Sequence, residues 1–273
     1  MTFDPTVTAR YTIDDVRMSW PDEAEGTHIG YIADEEEGVP FGLAYVRFRK
    51  GVTFEFAWPY DEVCVVTKGS LTVRSGGRRV TARAGEIMTQ PRGVPGVFEI
   101  DEDMEMICVH FPTFAIANGM TLREYQAHSE TSEDPTPPAP QPRAPQTESD
   151  FFDPSAMQRF AVSDMPSWIV VDADQGAWVG YIADQAEGFP VGLAFSDFRA
   201  GGVYELEFPY DEVAAITKGG FTVHSQGRSF TVGTGELLYM PAGVSATFEI
   251  DEDTIAVGVH YPTLAEATGS PPQ

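Results

Sequence analysis

The sequence lacks the features of three common protein classes. Its 273 residues include only two cysteines, Cys64 and Cys108, and neither has a partner at the spacing of a zinc finger or a CxxC motif. A disulfide framework is therefore excluded. No run approaches the roughly 20 consecutive apolar residues of a membrane-spanning helix, and the first residues, MTFDPTVTAR, lack the apolar core of a secretory signal. We expect a cytoplasmic protein without a membrane partner.

Basic residues are also scarce. Lys and Arg number 17 against 42 Asp and Glu, which gives a formal net charge of −25. Such a charge repels nucleic-acid phosphates and anionic lipid headgroups, so we expect no nucleic-acid partner. It favours a cationic or polar small-molecule substrate or a metal ion, although a solvated acidic surface that aids solubility is the simpler explanation. Monomer and homodimer both remain open.

One long stretch occurs twice. GYIADEEEGVPFGLAYVRFRKG begins at Gly30 and GYIADQAEGFPVGLAFSDFRAG at Gly180, and the offset of 150 positions continues without a gap to VHFPTF and VHYPTL. Roughly half of the aligned positions are identical, which indicates a tandem duplication. The sequence predicts two like domains, at residues 1–118 and 151–267, followed by a tail at 268–273.

Residues 119–150 separate the two copies. The segment MTLREYQAH contains Thr121 as a candidate N-cap and predicts a short helix. From residue 128 onward, Pro, Ser, Thr, Gln and Glu replace the residues that could pack. A segment of this composition buries too little apolar surface to offset the conformational entropy lost on ordering. We predict a short helix followed by a disordered, Pro-rich linker.

Each copy reads as a series of short strands. Segments rich in Val, Ile, Thr and Phe, such as EVCVVTKG and MEMICVHF, alternate with Gly or Pro turns. This spacing is typical of an all-β sandwich or barrel, and RSGGRRV and HSQGRSF are typical of hairpin turns. Helical periodicity of useful length is missing. The predicted fold class is all-β.

Two motifs recur with constant spacing. In the first copy six residues separate Glu62 from Gly69, and five separate Gly85 from Pro91, which is followed by Gly93. The second copy repeats both spacings, at Glu212, Gly219, Gly235, Pro241 and Gly243. This pattern resembles the two motifs of the cupin superfamily, whose jelly-roll β-barrel holds a site in its interior. The resemblance implies a bicupin, with two tandem jelly-roll barrels.

The usual metal ligands of that superfamily are not retained. Metal-binding cupins carry His-x-His a few residues before the glutamate, and a further histidine three residues after the PxG glycine. With a four-residue gap before Glu62, these positions are Glu55, Ala57 and Gly96. The corresponding residues of the second copy are Glu205, Glu207 and Ala246. Of the expected ligands, only the glutamate stays.

A closer resemblance is to cupins of the ethanolamine-utilization type. It covers most of each repeat, including FEFAWPYDE, GSLTVRSGGRRVTARAGEIMTQPRG and VHFP. That group also reads Tyr-Asp-Glu at the first motif and lacks the histidines, so the resemblance implies a barrel that does not depend on the usual metal. It does not imply an ethanolamine pathway, because fold and function separate readily.

A glutamate and a histidine are retained in both copies. Glu62 and Glu212 begin the strands EVCVV and EVAAI, and in the resembling family this glutamate points into the barrel. His110 and His260 share a strand face with a small residue two positions earlier, because side chains alternate along a strand. We interpret each Glu and its His as sharing one cavity. Alternatively, the glutamate caps the strand and the histidine is a satisfied core imidazole.

Aromatic and acidic neighbours extend the candidate site. Tyr60 and Tyr210 precede the glutamates by two residues, and a phenol near a carboxylate and an imidazole is a plausible acid/base set. The candidate catalytic residues are therefore Glu62, Tyr60, His110, Glu212, Tyr210 and His260. The candidate substrate-binding residues are two acids at former histidine positions and two barrel aromatics, namely Glu55, Glu205, Trp58 and Phe208.

The cofactor and the reaction class remain open. Glu55, Glu62 and His110 could offer ligands to Mn²⁺, Fe²⁺ or Zn²⁺, with one divalent transition metal ion per barrel; alternatively, no cofactor is required. The residues favour a small-molecule enzyme of non-redox acid/base chemistry, such as an isomerase, cyclase, dehydratase or lyase. The alternatives are a non-catalytic metabolite-binding or accessory cupin, and a metal-dependent oxygenase with an atypical Glu/His ligand set.

Overall fold

The computed structural model describes residues 2–16, 20–22 (backbone), 26–124 and 151–272. Within these ranges there are 22 strands. The first eleven are β1 (Ala9–Tyr11), β2 (Trp20–Asp22), β3 (Thr27–Ala33), β4 (Gly42–Phe48), β5 (Thr53–Phe56), β6 (Asp61–Lys68), β7 (Ser70–Ser75), β8 (Arg78–Arg83), β9 (Ile87–Gln90), β10 (Gly96–Ile100) and β11 (Met104–Phe111). The others are β12 (Gln158–Phe160), β13 (Ile169–Asp172), β14 (Ala177–Ala183), β15 (Gly192–Phe198), β16 (Val203–Glu207), β17 (Asp211–Lys218), β18 (Gly220–Ser225), β19 (Arg228–Gly233), β20 (Leu237–Met240), β21 (Ser245–Ile250) and β22 (Thr254–Tyr261).

In the described residues, helical structure is confined to short pieces. The α-helices α1 (Phe114–Asn118) and α2 (Leu264–Thr268) each follow the last strand of a repeat. The 3₁₀ turns are Ile13–Asp15, Glu35–Glu37, Val162–Asp164 and Gln185–Glu187. No helix in the described ranges is long and apolar enough to cross a membrane.

Each repeat builds two antiparallel sheets. The seven-stranded sheets have the orders β12-β9-β6-β11-β4-β3-β2 and β1-β20-β17-β22-β15-β14-β13. The four-stranded sheets have the orders β5-β10-β7-β8 and β16-β21-β18-β19. Gly76 and Gly77, with φ of 55° and 76°, form the β7–β8 turn, and Gln226 and Gly227 form its counterpart, as predicted. The all-β prediction of two tandem cupin barrels is confirmed.

Strand β11 illustrates how the sequence separates two cores. Cys108 packs inside the N-terminal barrel, whereas Ile107 and Val109 point the other way, into a core that contains residues of both repeats. The alternation of side chains along a strand produces this division. The two seven-stranded sheets therefore pack against each other, and the equivalent residues Phe111 and Tyr261 stack across the boundary at 4.8 Å between ring centroids.

The repeats also exchange their first strands. Strand β1 pairs with β20 of the second repeat, and β12 pairs with β9 of the first. The segments that carry these strands, FDPTVTARY and FDPSAMQRF, are counterparts in sequence. The repeat pattern did not predict this exchange, because pattern alone does not show which sheet edge a strand joins. The domain boundaries drawn from the repeat stay a prediction.

The segment between the repeats is described only at its beginning. Residues 122–124 are helical, and Thr121 accepts a hydrogen bond from the backbone N–H of Glu124 (3.2 Å) through its hydroxyl oxygen. The predicted linker at residues 125–150 lies outside the described residues.

Candidate functional site

The interior of each barrel holds a glutamate beside a histidine. His110 of β11 lies opposite Glu62 of β6, and His260 of β22 lies opposite Glu212 of β17. Only 5% of Glu62, 2% of His110 and 3% of His260 is exposed. Because directly opposed residues of an antiparallel pair point to the same face of the sheet, each pair looks into its own barrel, away from bulk solvent.

An aspartate that the sequence analysis missed holds the first histidine. Asp34 precedes the 3₁₀ turn Glu35–Glu37 and accepts a hydrogen bond from the backbone N–H of Phe114 (3.1 Å), while its Oδ2 lies 3.2 Å from His110 Nε2. Burial alone would raise the pKa of Asp34, but the hydrogen bond and charge of His110 and the backbone amides lower it overall. Asp34 is therefore an anion that orients the imidazole.

The second barrel places an acid, an imidazole and an acid in a row at longer separations, and His260 Nε2 forms no hydrogen bond with the described residues. Asp184 Oδ2 lies 3.8 Å from His260 Nε2, and Glu212 Oε2 lies 3.6 Å from His260 Nδ1. Asp184 also accepts a hydrogen bond from the backbone N–H of Leu264 (3.0 Å), at the start of α2. The imidazole thus connects a carboxylate at the rim of the barrel with a carboxyl group in its interior.

A missing side chain makes room for each imidazole. Gly42 and Gly192 begin β4 and β15 and lie opposite the histidines. A Cβ at either position would overlap the Nε2 atom of His110 or His260. Glycine is therefore required at these positions for close approach of the ring.

Two tyrosines enclose each imidazole. Tyr60 stacks on His110 with ring centroids 4.1 Å apart, and Tyr210 stacks on His260 at 4.2 Å. A second tyrosine of each barrel stands on another side of the ring. These tyrosines, Tyr31 and Tyr181, stand edge-on to the imidazoles at 6.1 and 6.2 Å.

The sequence contained a signal for the residues that were missed. Tyr31 and Asp34, like Tyr181 and Asp184, belong to the stretch GYIAD, which is identical in both copies. Identity between repeats that otherwise differ at many positions marks residues under a shared constraint. The sequence alone did not show that this stretch lies beside the histidines, because Asp34 and His110 are 76 positions apart.

Burial shifts the proton affinity of both glutamates. Desolvation raises the pKa of Glu62 to about 7, although hydrogen bonds from the thiols of Cys64 and Cys108 oppose the increase. Desolvation likewise raises the pKa of Glu212 to about 7, against the opposing charge of His260. A carboxyl group with such a pKa exchanges protons readily near neutral pH.

The C-terminal barrel contains a cavity at this site. Its volume is about 200 Å³, and Tyr181, Tyr210, Glu212 and His260 line its polar end. Its other walls are mainly apolar or aromatic and include Val179, Phe198, Tyr204, Leu206 and Phe208. A small molecule inside would meet hydrocarbon on most sides and ionisable groups at one end.

The interiors of the two barrels differ in the residues beside the glutamate. Cys64 and Cys108 of the first barrel correspond to Ala214 and Gly258 of the second. The two sulfur atoms lie 3.2 Å apart, next to Glu62. The same fold therefore surrounds its glutamate with thiols in one repeat and with open space in the other.

The predicted interior positions of Glu55 and Glu205 are wrong. Both side chains are exposed, on β5 and β16. Side chains alternate along a strand, so the positions that face inward before Glu62 are even-numbered, like Glu62 itself. A four-residue gap before Glu62 selects odd-numbered positions, which face outward. The structure therefore does not bring Glu55 and Glu205 to the site as substrate-binding residues.

Aromatic and aliphatic residues occupy the inward positions. Phe56 and Trp58 precede Glu62, with ring centroids 4.6 Å apart, and Trp58 packs against the interior core of its barrel. Leu206 and Phe208 precede Glu212 and line the cavity. Of the two predicted aromatic binding residues, Phe208 thus borders open space, whereas Trp58 packs among other rings.

The histidine-bound metal ion of other cupins does not fit these interiors. The inward positions before each glutamate hold hydrocarbon or aromatic side chains, none of which ligates a metal ion. The predicted ligand set of Glu55, Glu62 and His110 is not assembled, because Glu55 is on the outer face.

Part of the chain is similar in sequence to a known family. The family model of the ethanolamine utilisation protein EutQ matches residues 16–115. "Acetate kinase EutQ" of Clostridioides difficile (strain 630) is 30% identical over 77 residues, which is 28% of this chain and 48% of that protein. The match therefore spans about half the length of this relative.

Comparison with solved structures extends the similarity to both repeats. The protein Ylba of E. coli aligns with a TM-score of 0.65 and 13% identity over 95% of this chain and 93% of its own. A cupin 2 conserved barrel domain protein from Leptotrichia buccalis gives 0.59 and 10%, over 92% and 95%. The S161A mutant of Bacillus subtilis oxalate decarboxylase OxdC gives 0.57 and 15%, over 92% and 76%. At these identities the similarity establishes the fold.

These matches agree with the geometry of the barrels. The family model matches residues of the first repeat, and the structural similarity covers both repeats. The chain is therefore an all-β protein of two tandem cupin domains, a bicupin that resembles cupins of the EutQ type.

Proposed function

We propose that this bicupin is a small-molecule enzyme that performs non-redox acid/base chemistry in its C-terminal barrel. The supporting observation is the position of Glu212, a buried carboxyl group at the polar end of the cavity, 3.6 Å from His260 Nδ1. Isomerisation, cyclisation, dehydration and lyase reactions share one step that such a group can perform, the removal of a proton from carbon.

Glu212 is the general base in this proposal. With a pKa of about 7 the carboxyl group is substantially ionised at neutral pH yet basic enough to hold a proton. His260 can then receive that proton, and Asp184 stabilises the imidazolium that forms, because its carboxylate lies 3.8 Å from His260 Nε2. The three groups thus form a path from the cavity toward the rim.

Tyr210 and Tyr181 are the hydrogen-bond donors. Burial raises the pKa of Tyr210 far above its ordinary value and that of Tyr181 to about 12, so both phenols keep their protons at neutral pH. A protonated phenol at the polar end of an otherwise apolar cavity stabilises the oxyanion that develops when a carbon acid is deprotonated.

The cavity restricts the substrate to a small molecule. A volume of about 200 Å³ equals the space of roughly seven liquid water molecules, which is below that of most drug-sized pockets. The aromatic and aliphatic walls favour a compact apolar body. The substrate class that fits best is therefore a small carbonyl compound with its oxygen at the tyrosines.

Deuterium exchange tests this proposal without knowledge of the product. The protein is incubated in D₂O with a panel of small carbonyl compounds, and loss of the signal of the hydrogen next to the carbonyl is followed by proton NMR. We expect exchange with at least one compound, and loss of most of that exchange in Glu212→Gln while saturation-transfer NMR still detects binding. Glu205→Gln, an outward-facing change in the same barrel, should exchange like the wild type.

Two results would contradict the proposal. Binding without exchange for every compound would favour the non-catalytic metabolite-binding alternative. Exchange that survives Glu212→Gln but is lost after chelator treatment would favour a metal-dependent reaction.

A further inference from the structure

Outside the proposed C-terminal site, the N-terminal barrel contains a second cluster of chemically reactive groups. Cys64 and Cys108 are directly opposed on β6 and β11, and Glu62 lies two residues before Cys64 on the same face. One ligand atom from each of the three residues lies within 4.8 Å of the others, and all three side chains are buried. Two thiols and a carboxylate at this separation are three donors of types that bind transition metals.

Two oxygen atoms beside the thiols lack a partner. Among the buried side chains of the described residues, Glu62 Oε2 and Gln90 Oε1 form no hydrogen bond. Gln90 lies opposite Glu62 on β9, and its Nε2 donates a hydrogen bond to Cys64 Sγ (2.9 Å). A buried acceptor without a partner is costly. A cation between the carboxylate and the sulfurs would remove this cost for Glu62.

The second barrel serves as an internal comparison. Its residues at the positions of Cys64, Cys108 and Gln90 are Ala214, Gly258 and Met240, although the glutamate, the histidine and both tyrosines are retained. The second barrel therefore lacks both thiol donors and also the amide group beside them. Co-occurrence of the three polar groups in one repeat indicates a local constraint that is separate from the shared acid/base groups.

We propose that Glu62, Cys64 and Cys108 form a binding site for one divalent cation that prefers thiolate ligands, with Zn²⁺ as the best fit. Thiolates select zinc over magnesium or calcium. Zn–S bonds of about 2.3 Å in a tetrahedral site hold two sulfurs about 3.8 Å apart, so the sulfurs need to separate only slightly from their 3.2 Å distance. Each thiol releases its proton to solvent on binding, and a water molecule takes the fourth position.

Gln90 is a positioning residue in this site. Its amide hydrogen bond to Cys64 Sγ fixes the direction of the sulfur and stabilises the thiolate. The site differs from the histidine-based cupin centre in its ligands and shares only the glutamate. It does not depend on the reaction proposed for the C-terminal barrel.

A disulfide between Cys64 and Cys108 is the competing interpretation of the close sulfurs. It would require an external oxidant, and it would leave Glu62 Oε2 without a partner. It would also remove the thiol donors that now contact Glu62. A bound cation explains both the unpartnered carboxylate oxygen of Glu62 and the closeness of the two sulfurs.

Cobalt titration tests the site in the full-length protein. Protein stripped with a chelator under reducing, oxygen-free conditions is titrated with Co²⁺, and the absorption spectrum is recorded. We expect one Co²⁺ per chain, a sulfur-to-cobalt charge-transfer band, strong visible bands of tetrahedral cobalt, and displacement by Zn²⁺. The second barrel lacks thiols, so a stoichiometry of two would overturn the proposal, as would a spectrum without the charge-transfer band.

The variants are designed from the other repeat. Cys64→Ala and Cys108→Gly introduce the residues that the second barrel tolerates, and each should abolish the tetrahedral spectrum. Gln90→Met should keep the charge-transfer band but weaken affinity about 10- to 100-fold. Glu55→Gln, an outward-facing acid of the same barrel, should change neither affinity nor stoichiometry. Unchanged binding in Cys64→Ala, or quantitative disulfide in the reduced preparation by mass spectrometry, would overturn the proposal.

Discussion

The carboxyl group of Glu212 occupies the space in which a side chain on Gly258 would stand. A Cβ at position 258 would overlap Glu212 Oε1. In the first repeat the equivalent residue is Cys108, whose sulfur lies next to the Glu62 carboxyl group. Together with position 64, which is Cys64 in the first repeat and Ala214 in the second, this position distinguishes the sulfur-lined interior of the first barrel from the cavity of the second.

Replacing Gly258 by alanine should displace Glu212. We expect a loss of about 1–3 kcal/mol in the free energy of unfolding, as for other overpacked cores, measured by urea denaturation. The double variant Gly258→Ala/Glu212→Ala should be less destabilised than the sum of the single changes, because the overlapping group is gone. Gly233→Ala is the matched control, since a Cβ there meets only Glu236 Oε2 at 4.0 Å. Strictly additive single changes would contradict this account.

Strand patterns predicted the fold and half of the site. Alternation along β11 placed Ile107 and Val109 on one face and His110 on the other, as the structure has them. Glu55 was instead placed by the motif spacing of the resembling superfamily, and an error of one residue in the gap before Glu62 reverses the face. Asp34 was missed for a different reason: its contact with His110 depends on how β3 and α1 meet in three dimensions.

The stability of the protein should depend on the protonation of Glu212. Its pKa is 4.5 in the unfolded reference and about 7 in the folded protein, so the folded state holds the proton more tightly. The stabilisation that this tighter proton binding gives the folded state is fully present below pH 4.5 and is lost as pH rises through about 7. Its loss lowers the free energy of unfolding by about 3 kcal/mol. Urea denaturation across this range should show a shallower decline in Glu212→Gln. Glu205→Gln should follow the wild-type curve, and parallel curves for all three proteins would argue against the raised pKa.

The stacked pair Phe111 and Tyr261 should couple the two repeats. Their rings lie 4.8 Å apart with an interplanar angle of 27°. A double-mutant cycle with Phe111→Ala and Tyr261→Ala should give a coupling free energy of about 0.5–1.5 kcal/mol in thermal or urea unfolding. Phe111→Ala combined with Val203→Ala, an exposed position on β16, should be additive. A coupling free energy of zero for the ring pair would show that the stack contributes no specific stabilisation.

The exchanged strand β1 should stabilise the barrel that it joins rather than the repeat that encodes it. Phe3 is 6% exposed and packs on Tyr239 of β20 at 4.8 Å between ring centroids. Phe3→Ala should therefore cost about 3 kcal/mol or more in the free energy of unfolding. Hydrogen exchange measured by mass spectrometry should locate the loss of protection first in β20 and β17, since β1 covers the edge of their sheet. Ile116→Ala, at a side chain that is 65% exposed, should change neither stability nor protection. A loss of protection first in β6 and β9 would mean that Phe3 packs against its own, N-terminal repeat. The strand exchange would then not describe the protein in solution.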